Sequence, residues 1–389
     1  MTGGFTGTTV RSGAPLRVAV VADLLSEGWP SMDLVADRLF ARLRDEHGSS
    51  IQAQMLRPEL PQRDGLQRYV TRYWRYAQWL RQHASAFDIF HIVDHSYAHL
   101  VHVLPAERTI VTCHDTDAFM PLVDQAVIKT RLPNVVTRRI LSGMRKAAWI
   151  TCGSAATRDE VARYGFADAS KLSVAYYGVE GSISSSPDAA ADLTIAEAIG
   201  APQPDIIDLL HVGSCIPRKR IDLLLRIFRA VRDVEPRARL LKAGGRLTPE
   251  QQALARELGV ETHILQLPFL DTPVLAALYR RAAAVLLPSE REGFGLPVVE
   301  ALATGAPVVA SDLPVFREIG GDVVRYAPIG RVPQWVEHIA ETLRERLDST
   351  ASQQRRTAAV RHASAFSWSA FARAHADRYQ HVATAALAR

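Results

Sequence analysis

Pro288-Ser-Glu-Arg-Glu-Gly-Phe-Gly-Leu-Pro-Val-Val-Glu300, continuing through Ala-Leu-Ala-Thr-Gly305-Ala-Pro-Val-Val-Ala-Ser311, decides the reading of this chain. The apolar run 282–287 before it and the run 306–310 after it each read as a buried parallel strand. The order is therefore strand, glycine loop, helix, strand. Pro297 suits the first turn of the helix, where a missing N–H costs nothing. Glu300 then sits about one turn further in, while Glu292 stays in the loop. Both fall at the carboxyl end of a sheet, where open α/β folds bind ligands.

The residue types at this spacing suit a ligand with both phosphate and sugar. Gly293 and Gly295 let a backbone approach closely, and the free amides of a helix start favour an anionic group. A carboxylate beside phosphate would repel it, so the natural partners of Glu292 and Glu300 are neutral ribose or hexose hydroxyls. The plainer alternative is a structural glycine turn with a glutamate complementing the helix dipole.

The whole string resembles the signature of the retaining family 4 glycosyltransferases, enzymes of the GT-B fold. The resemblance implies that Glu292 approaches the transferred sugar and Glu300 holds the nucleotide ribose. Gly293, Phe294, Gly295 and Leu296 would complete the donor loop.

Working outward, apolar runs alternate with helical patterns along both halves, which predicts parallel, doubly wound α/β sheets. Candidate strands are 17–22, 51–55, 89–93, 109–112, 149–152 and 172–175, then 208–212, 239–243, 263–267, 284–287, 307–310 and 323–326. The Ser-rich, then Ala-rich segment 180–205 reads as a linker or hinge with one short helix. The expected layout is an N-terminal Rossmann-like domain over 16–179, a linker over 180–205 and a nucleotide-sugar domain over 206–366. A terminal helix over 367–389, with Ser367 as N-cap and Trp368 as anchor, would return to the first domain by resemblance. The resemblance also implies a central cleft between the two domains. Residues 1–15 read as a flexible lead-in.

Three cations, Arg218, Lys219 and Arg220, follow Gly213 and Ser214 where a strand gives way to a helix. Arg grips phosphate bidentately and Lys supplies a compact charge; the alternative is a solvated basic turn. The family's diphosphate loop carries a Lys six residues after the glycine, which falls on Lys219. Arg218 matches the relatives with an Arg just before that Lys. By resemblance Arg218 and Lys219 bind and stabilise the diphosphate, whereas Arg220 packs or faces solvent.

In the first half, Thr112-Cys-His-Asp-Thr-Asp117 closes a strand. Its Asp115-Thr-Asp117 has the form that holds a divalent metal in many other glycosyltransferases, a short pattern that often arises by chance. The competing resemblance, to the family's Thr-X-His-Asp segment, places His114 beside the donor sugar and gives Asp115 to the loop on the acceptor side. Gly28, single where many members have a Gly-Gly pair, is the other acceptor-side candidate. Tyr177 stands where an Asn is usual, and Gly178 reads as a hinge. Glu318 is expected to be structural.

Composition sets the remaining bounds. A chain of 389 residues that is 48% hydrophobic supports two ordinary domains. The net charge of +5, without an arginine–aromatic recognition module, makes no nucleic-acid case. Three cysteines, Cys113, Cys152 and Cys215, lack metal-ligand spacing and fit a reducing cytoplasm. No apolar run reaches membrane-spanning length. The aromatic and basic segment 68–81 reads either as an interfacial helix or as a helix on the sheet with its arginines outside. With Lys129, Arg131, Arg138, Arg139, Arg145 and Lys146 it makes a case for peripheral membrane contact. The absence of Gly-X-Gly-X-X-Gly after the first strand argues against a nicotinamide enzyme.

The expected activity is transfer of a sugar from a UDP- or GDP-linked donor to an acceptor hydroxyl, with retention of configuration, no cofactor and no metal. Polysaccharide, glycolipid or other glycoconjugate synthesis is the expected setting. The rivals are a GT-B epimerase or phosphorylase, and a non-catalytic partner that kept the fold.

Overall fold

The computed structural model describes residues 14–60, 65–123 and 131–388. Most of the segment read as a lead-in, and Lys129, lie outside the described residues. The chain divides into two compact units, residues 1–178 with 368–389, and residues 179–367.

Among the described residues the first unit holds six parallel strands: β1 (Leu16–Val21), β2 (Ile51–Leu56), β3 (Ile89–Ile92), β4 (Thr109–Cys113), β5 (Trp149–Cys152) and β6 (Leu172–Val174). Their order across the sheet is β2-β1-β3-β4-β5-β6. Both faces are covered, so β3 and β4 are buried at every residue and read as largely apolar runs. The chain reverses direction across the sheet between β1 and β3, and such a switch point leaves a crevice at the carboxyl ends of the two strands.

The second unit repeats the design with β7 (Ile207–Val212), β8 (Ala238–Ala243), β9 (Ile264–Leu267), β10 (Ala284–Leu287), β11 (Val308–Ser311) and β12 (Arg325–Ala327), in the order β12-β11-β10-β7-β8-β9. The switch point here lies between β7 and β10, which pair in register through Leu209 and Ala284. The sequence thus foretold the α/β class and twelve strands, with ends displaced by at most two residues.

The stretch 180–205 contains the one short helix expected of it and groups with the second unit. It carries the helix Ala189–Ile199, N-capped by the Asp188 carboxylate, which takes the Ala191 N–H. That helix belongs to the second unit, tied by Arg280 to Asp192 at 2.6 Å. Its Ala-rich composition is good helix-forming composition.

The last helix, Trp368–Leu387, groups with the first unit. Its Tyr379 hydroxyl meets His91 Nδ1 on β3 at 2.7 Å, and the His375 ring stacks on His91 with centroids 4.8 Å apart. Trp368 is buried against Tyr177 and Phe371.

The segment 66–83 is helical, with a π-helical stretch at Thr71–Arg75. The expectation of arginines outside fails at Arg72. It turns inward, pairs with the fully buried Glu27 side chain at 2.6 Å and lies 4.2 Å over the Tyr97 ring. A π bulge rotates one side chain out of the helical register, and such bulges are frequent at functional sites.

Candidate active site

Two loops flank the switch point of the second sheet. The loop after β7 runs from Gly213 to Arg220, and the loop after β10 runs from Pro288 to Gly295. They are joined backbone to backbone, the Glu290 N–H donating to the Arg218 carbonyl at 2.8 Å. Arg220 sits in the left-handed conformation at φ 49°, a cost of about 1–2 kcal/mol for a side-chain-bearing residue. Its guanidinium bonds to Asp222 at 2.8 Å and lies 3.6 Å from Glu290, which holds that geometry in place.

Between the loops lies an ion cluster. Lys219 Nζ donates to Glu292 Oε1 at 2.5 Å and Arg218 to Glu292 Oε2 at 2.8 Å. The Ser289 hydroxyl donates to Glu292 Oε1 at 2.8 Å. Burial by itself would raise the Glu292 pKa, but the two cations and these hydrogen bonds outweigh it and hold the carboxyl down at about 2. The sequence assigned Arg218 and Lys219 to phosphate and Glu292 to sugar; the fold presents the three as one cluster.

The helix Leu296–Thr304 follows, with Pro297 in its first turn as foreseen. Gly295 enters it at φ 96°, and a Cβ there would fall 2.7 Å from the Phe316 ring, so only glycine fits. Phe294 is buried against Phe366, with ring centroids 5.9 Å apart. On the second turn Glu300 takes a hydrogen bond from the Tyr279 hydroxyl at 2.8 Å. Burial drives its carboxyl up to about 7, with the Glu180 charge adding to the rise and the Tyr279 bond and Lys219 opposing it. Two glutamates eight positions apart thus differ by several pKa units, because one has cations for partners and the other a phenol.

In the first unit, His114 is buried and both ring nitrogens are committed. Nε2 meets the Val93 carbonyl at 2.6 Å and must carry the proton, so Nδ1 accepts from the Tyr177 hydroxyl at 2.5 Å. Burial lowers its pKa and keeps it neutral. The assignment of His114 to the donor sugar therefore gains no free nitrogen, and the imidazole holds its own loop. Tyr177, read as a departure from pattern, is the reason Gly153 must be glycine: a Cβ there would lie 2.7 Å from the phenol ring.

Asp115 takes the Asp117 N–H at 3.0 Å, closing its loop on itself. Among the described residues no three His, Cys, Asp or Glu side chains converge as a metal-ligand set. Gly28 is exposed and left-handed at φ 67°, ending the turn Leu25–Glu27.

Sequence reasoning missed a buried acidic pair at the switch point between β1 and β3. Asp23 and Asp94 are both buried, and burial first, then the Asp94 charge, pushes the Asp23 carboxyl well up. On Asp94 burial is outweighed by His95 and by bonds from Ser96, so this carboxylate stays low. The only signal was polar residues ending strand-like runs. Ser289, Tyr279 and Lys242 were missed likewise; of these only Lys242 left a trace, a charge inside the apolar run of β8.

Two doubly wound parallel sheets, with a charged loop cluster at the switch point of the second, make the layout on which open α/β folds bind ligands. Residues 18–181 match the family described as Glycosyltransferase Family 4, and residues 196–361 match Glycosyl transferases group 1. The chain belongs to the family 4, group 1 glycosyltransferases of the GT-B fold.

Among curated proteins it is 33% identical over 265 residues to a D-inositol 3-phosphate glycosyltransferase of Streptomyces griseus, covering 61% of this chain and 54% of that one. The counterpart from Actinosynnema mirum is 36% identical over 183 residues, 42% of each chain. The chain spans about half the length of the curated relatives it matches. Among solved structures, sucrose-phosphate synthase from Thermosynechococcus elongatus aligns over 95% of this chain and 100% of its own, with TM-score 0.74 and 17% identity. Anabaena HepE, solved in complex with UDP and glucose, covers 94% of this chain and 100% of its own, with TM-score 0.73 and 16% identity. At such identities the likeness is one of fold.

Proposed function

We propose that this protein transfers a sugar from a nucleoside diphosphate sugar to an acceptor hydroxyl, with retention of anomeric configuration. The observation that carries the reading is the Arg218–Lys219–Glu292 cluster at the β7/β10 switch point, with Glu300 on the helix that follows. When the donor enters, its diphosphate takes over Lys219 and Arg218, and the released Glu292 carboxylate turns to sugar hydroxyls. The Ser214 loop and the amides at the start of helix Leu296–Thr304 face the same anion. Glu300 accepts from the ribose hydroxyls in its ionised form.

As the glycosidic bond breaks, negative charge grows on the leaving diphosphate, and the two cations stabilise it, each such donor being worth on the order of 10²-fold in rate. The departing phosphate takes the acceptor proton on the same face, which accounts for retention without a protein nucleophile or a metal. His114 fixes the 113–117 loop, and Gly28 and Asp115 belong to the acceptor side. HepE's complexes with UDP and UDP-glucose support a uridine nucleotide as the donor base, with GDP as the competitor.

The acceptor belongs to polysaccharide, glycolipid or other glycoconjugate synthesis at the cytoplasmic membrane face, reached through basic and aromatic residues such as Arg68, Tyr69, Trp74 and Arg75. Tyr69 and Trp74 are 59% and 62% exposed. Among the described residues no helix is long and apolar enough to cross a membrane.

Calorimetric titration with UDP, GDP, ADP and dTDP, each with and without Mg²⁺, tests the donor site. Metal-independent binding of one nucleotide, followed by NMR of the product anomer from its sugar, is the expected course. Binding of none sinks the reading, and binding only with Mg²⁺ sinks its metal-independent form.

A further inference from the structure

Lys242 lies in β8 with no solvent exposure and, among the described residues, no carboxylate partner. Its ammonium donates to the carbonyls of Gly213 at 2.6 Å, Ala243 at 3.2 Å and Gly245 at 3.4 Å. These carbonyls belong to two glycine loops at the ends of the adjacent strands β7 and β8. The loops touch backbone to backbone: a Cβ on Gly244 would lie 3.0 Å from the Gly213 oxygen. Gly213, Gly244 and Gly245 all have positive φ, at 152°, 92° and 111°, so the ammonium sits at the hub of a fold that only glycines can make.

A buried charge without a counter-charge is costly, and chains carry one chiefly where a ligand or partner compensates it. Burial lowers the Lys242 pKa and the Lys219 charge lowers it further, with the Cys215 sulfur opposing, so the surroundings inside the protein disfavour the cation. The other neighbour, His211, cannot offset it. Its Nδ1 donates to the Leu286 carbonyl at 2.8 Å, its Nε2 has no hydrogen-bond partner among the described residues, and its pKa is lowered to about 3.

The peptides of the two loops are equally directional. In a planar trans peptide the C=O of one residue and the N–H of the next point in opposite directions. Drawing the Gly213 and Gly245 oxygens inward therefore turns the Ser214 and Arg246 amides outward, away from the lysine. The outward amides lie at the carboxyl ends of the neighbouring strands β7 and β8, the side on which open α/β sheets bind ligands, where each can donate to one oxygen of an extended anion such as a diphosphate and the pair acts as a two-loop nest.

We propose that Lys242 is the positioning residue that shapes and charges a diphosphate nest formed by the Gly213–Ser214 and Gly245–Arg246 peptides. The proposal rests on the donor reading above and adds to it a residue that touches no substrate atom. In the free protein Glu292 neutralises one of the two charges of Arg218 and Lys219. Lys242 then supplies the second net positive charge that a diphosphate requires.

The test compares UDP with uridine, which lacks the diphosphate, on the wild type and on Lys242→Met, a neutral side chain of similar length. The expected result is a loss of about tenfold or more in UDP affinity with uridine binding unchanged. Inorganic pyrophosphate should lose affinity in parallel. Unchanged UDP affinity overturns the proposal while leaving the donor reading intact. Equal losses for UDP and uridine also overturn it, since they mark general damage to the domain. If wild type binds neither, the donor reading itself fails, and this inference with it.

Should Lys242→Met not fold, hydrogen exchange on the wild type decides instead. UDP should slow exchange of the Ser214 and Arg246 amides, and unaltered exchange at both in the presence of bound UDP overturns the nest.

Discussion

Replacing Glu292 by Gln separates two consequences of the ion cluster that pull in opposite directions. In the wild type Lys219 and Arg218 are paired with the Glu292 carboxylate, and on the proposed reading they leave it to serve a diphosphate. Hydrogen bonds to charged groups contribute about 1.5–3 kcal/mol each. A neutral amide competes far less, so UDP should bind Glu292→Gln about tenfold to a hundredfold more tightly.

Stability moves the other way. The Glu292 carboxyl is depressed from 4.5 to about 2, so its contribution is present above pH 4.5 and is lost as the pH falls toward 2. At pH 7 it is on the order of 3 kcal/mol, and the variant should melt roughly 5–10 °C lower. On the proposed reading sugar transfer should fall by on the order of 10²-fold or more, because the carboxylate that turns to the sugar is missing. Calorimetry with UDP, thermal melts at pH 4 and pH 7, and turnover with the matching donor read all three. Weaker UDP binding in the variant, or tighter binding with turnover intact, refutes the reasoning.

Glu300 carries the opposite sign. Its carboxyl is raised from 4.5 to about 7, so it favours the fold below pH 4.5, and this contribution is lost as the pH rises through 7. Glu300→Gln should therefore be more stable than wild type at pH 8 and not at pH 4, by thermal melt. Wild-type UDP affinity should rise with pH up to about 7 as the ribose-binding carboxylate forms, and the Gln variant should show a flat profile by titration. Tyr379→Phe leaves His91 Nδ1 without its 2.7 Å partner and should cost about 1–2 kcal/mol in denaturant unfolding, with UDP affinity unchanged. Arg72→Met strands the buried Glu27 carboxylate and should cost about 3–5 kcal/mol, seen as a lower midpoint for unfolding of the first unit.

Much of this site was legible along the chain because its parts are local. Gly293, Gly295, Pro297 and Glu300 lie within one strand–loop–helix unit, and apolar period, glycine and proline placed that unit correctly. The short helix expected within 180–205 is Ala189–Ile199, legible from its Ala-rich run of good helix formers. Arg72 was misplaced because a helical wheel assumes constant pitch, and the π stretch at Thr71–Arg75 breaks it.

Sequence by itself determined the α/β class and the alternation of the twelve strands of the described residues, and it singled out residue types suited to phosphate or sugar. Those properties follow from side-chain periodicity and backbone preferences over a few residues. Only the tertiary structure decided the partners. Strand order set β7 beside β10, which placed Lys219 against a glutamate 73 residues away. It set Tyr279 on Glu300, Tyr177 on His114 and Lys242 under two glycine loops. Whether a carboxyl titrates near 2 or near 7 depends on what lies within a few ångströms of it in space, and no local pattern encodes that.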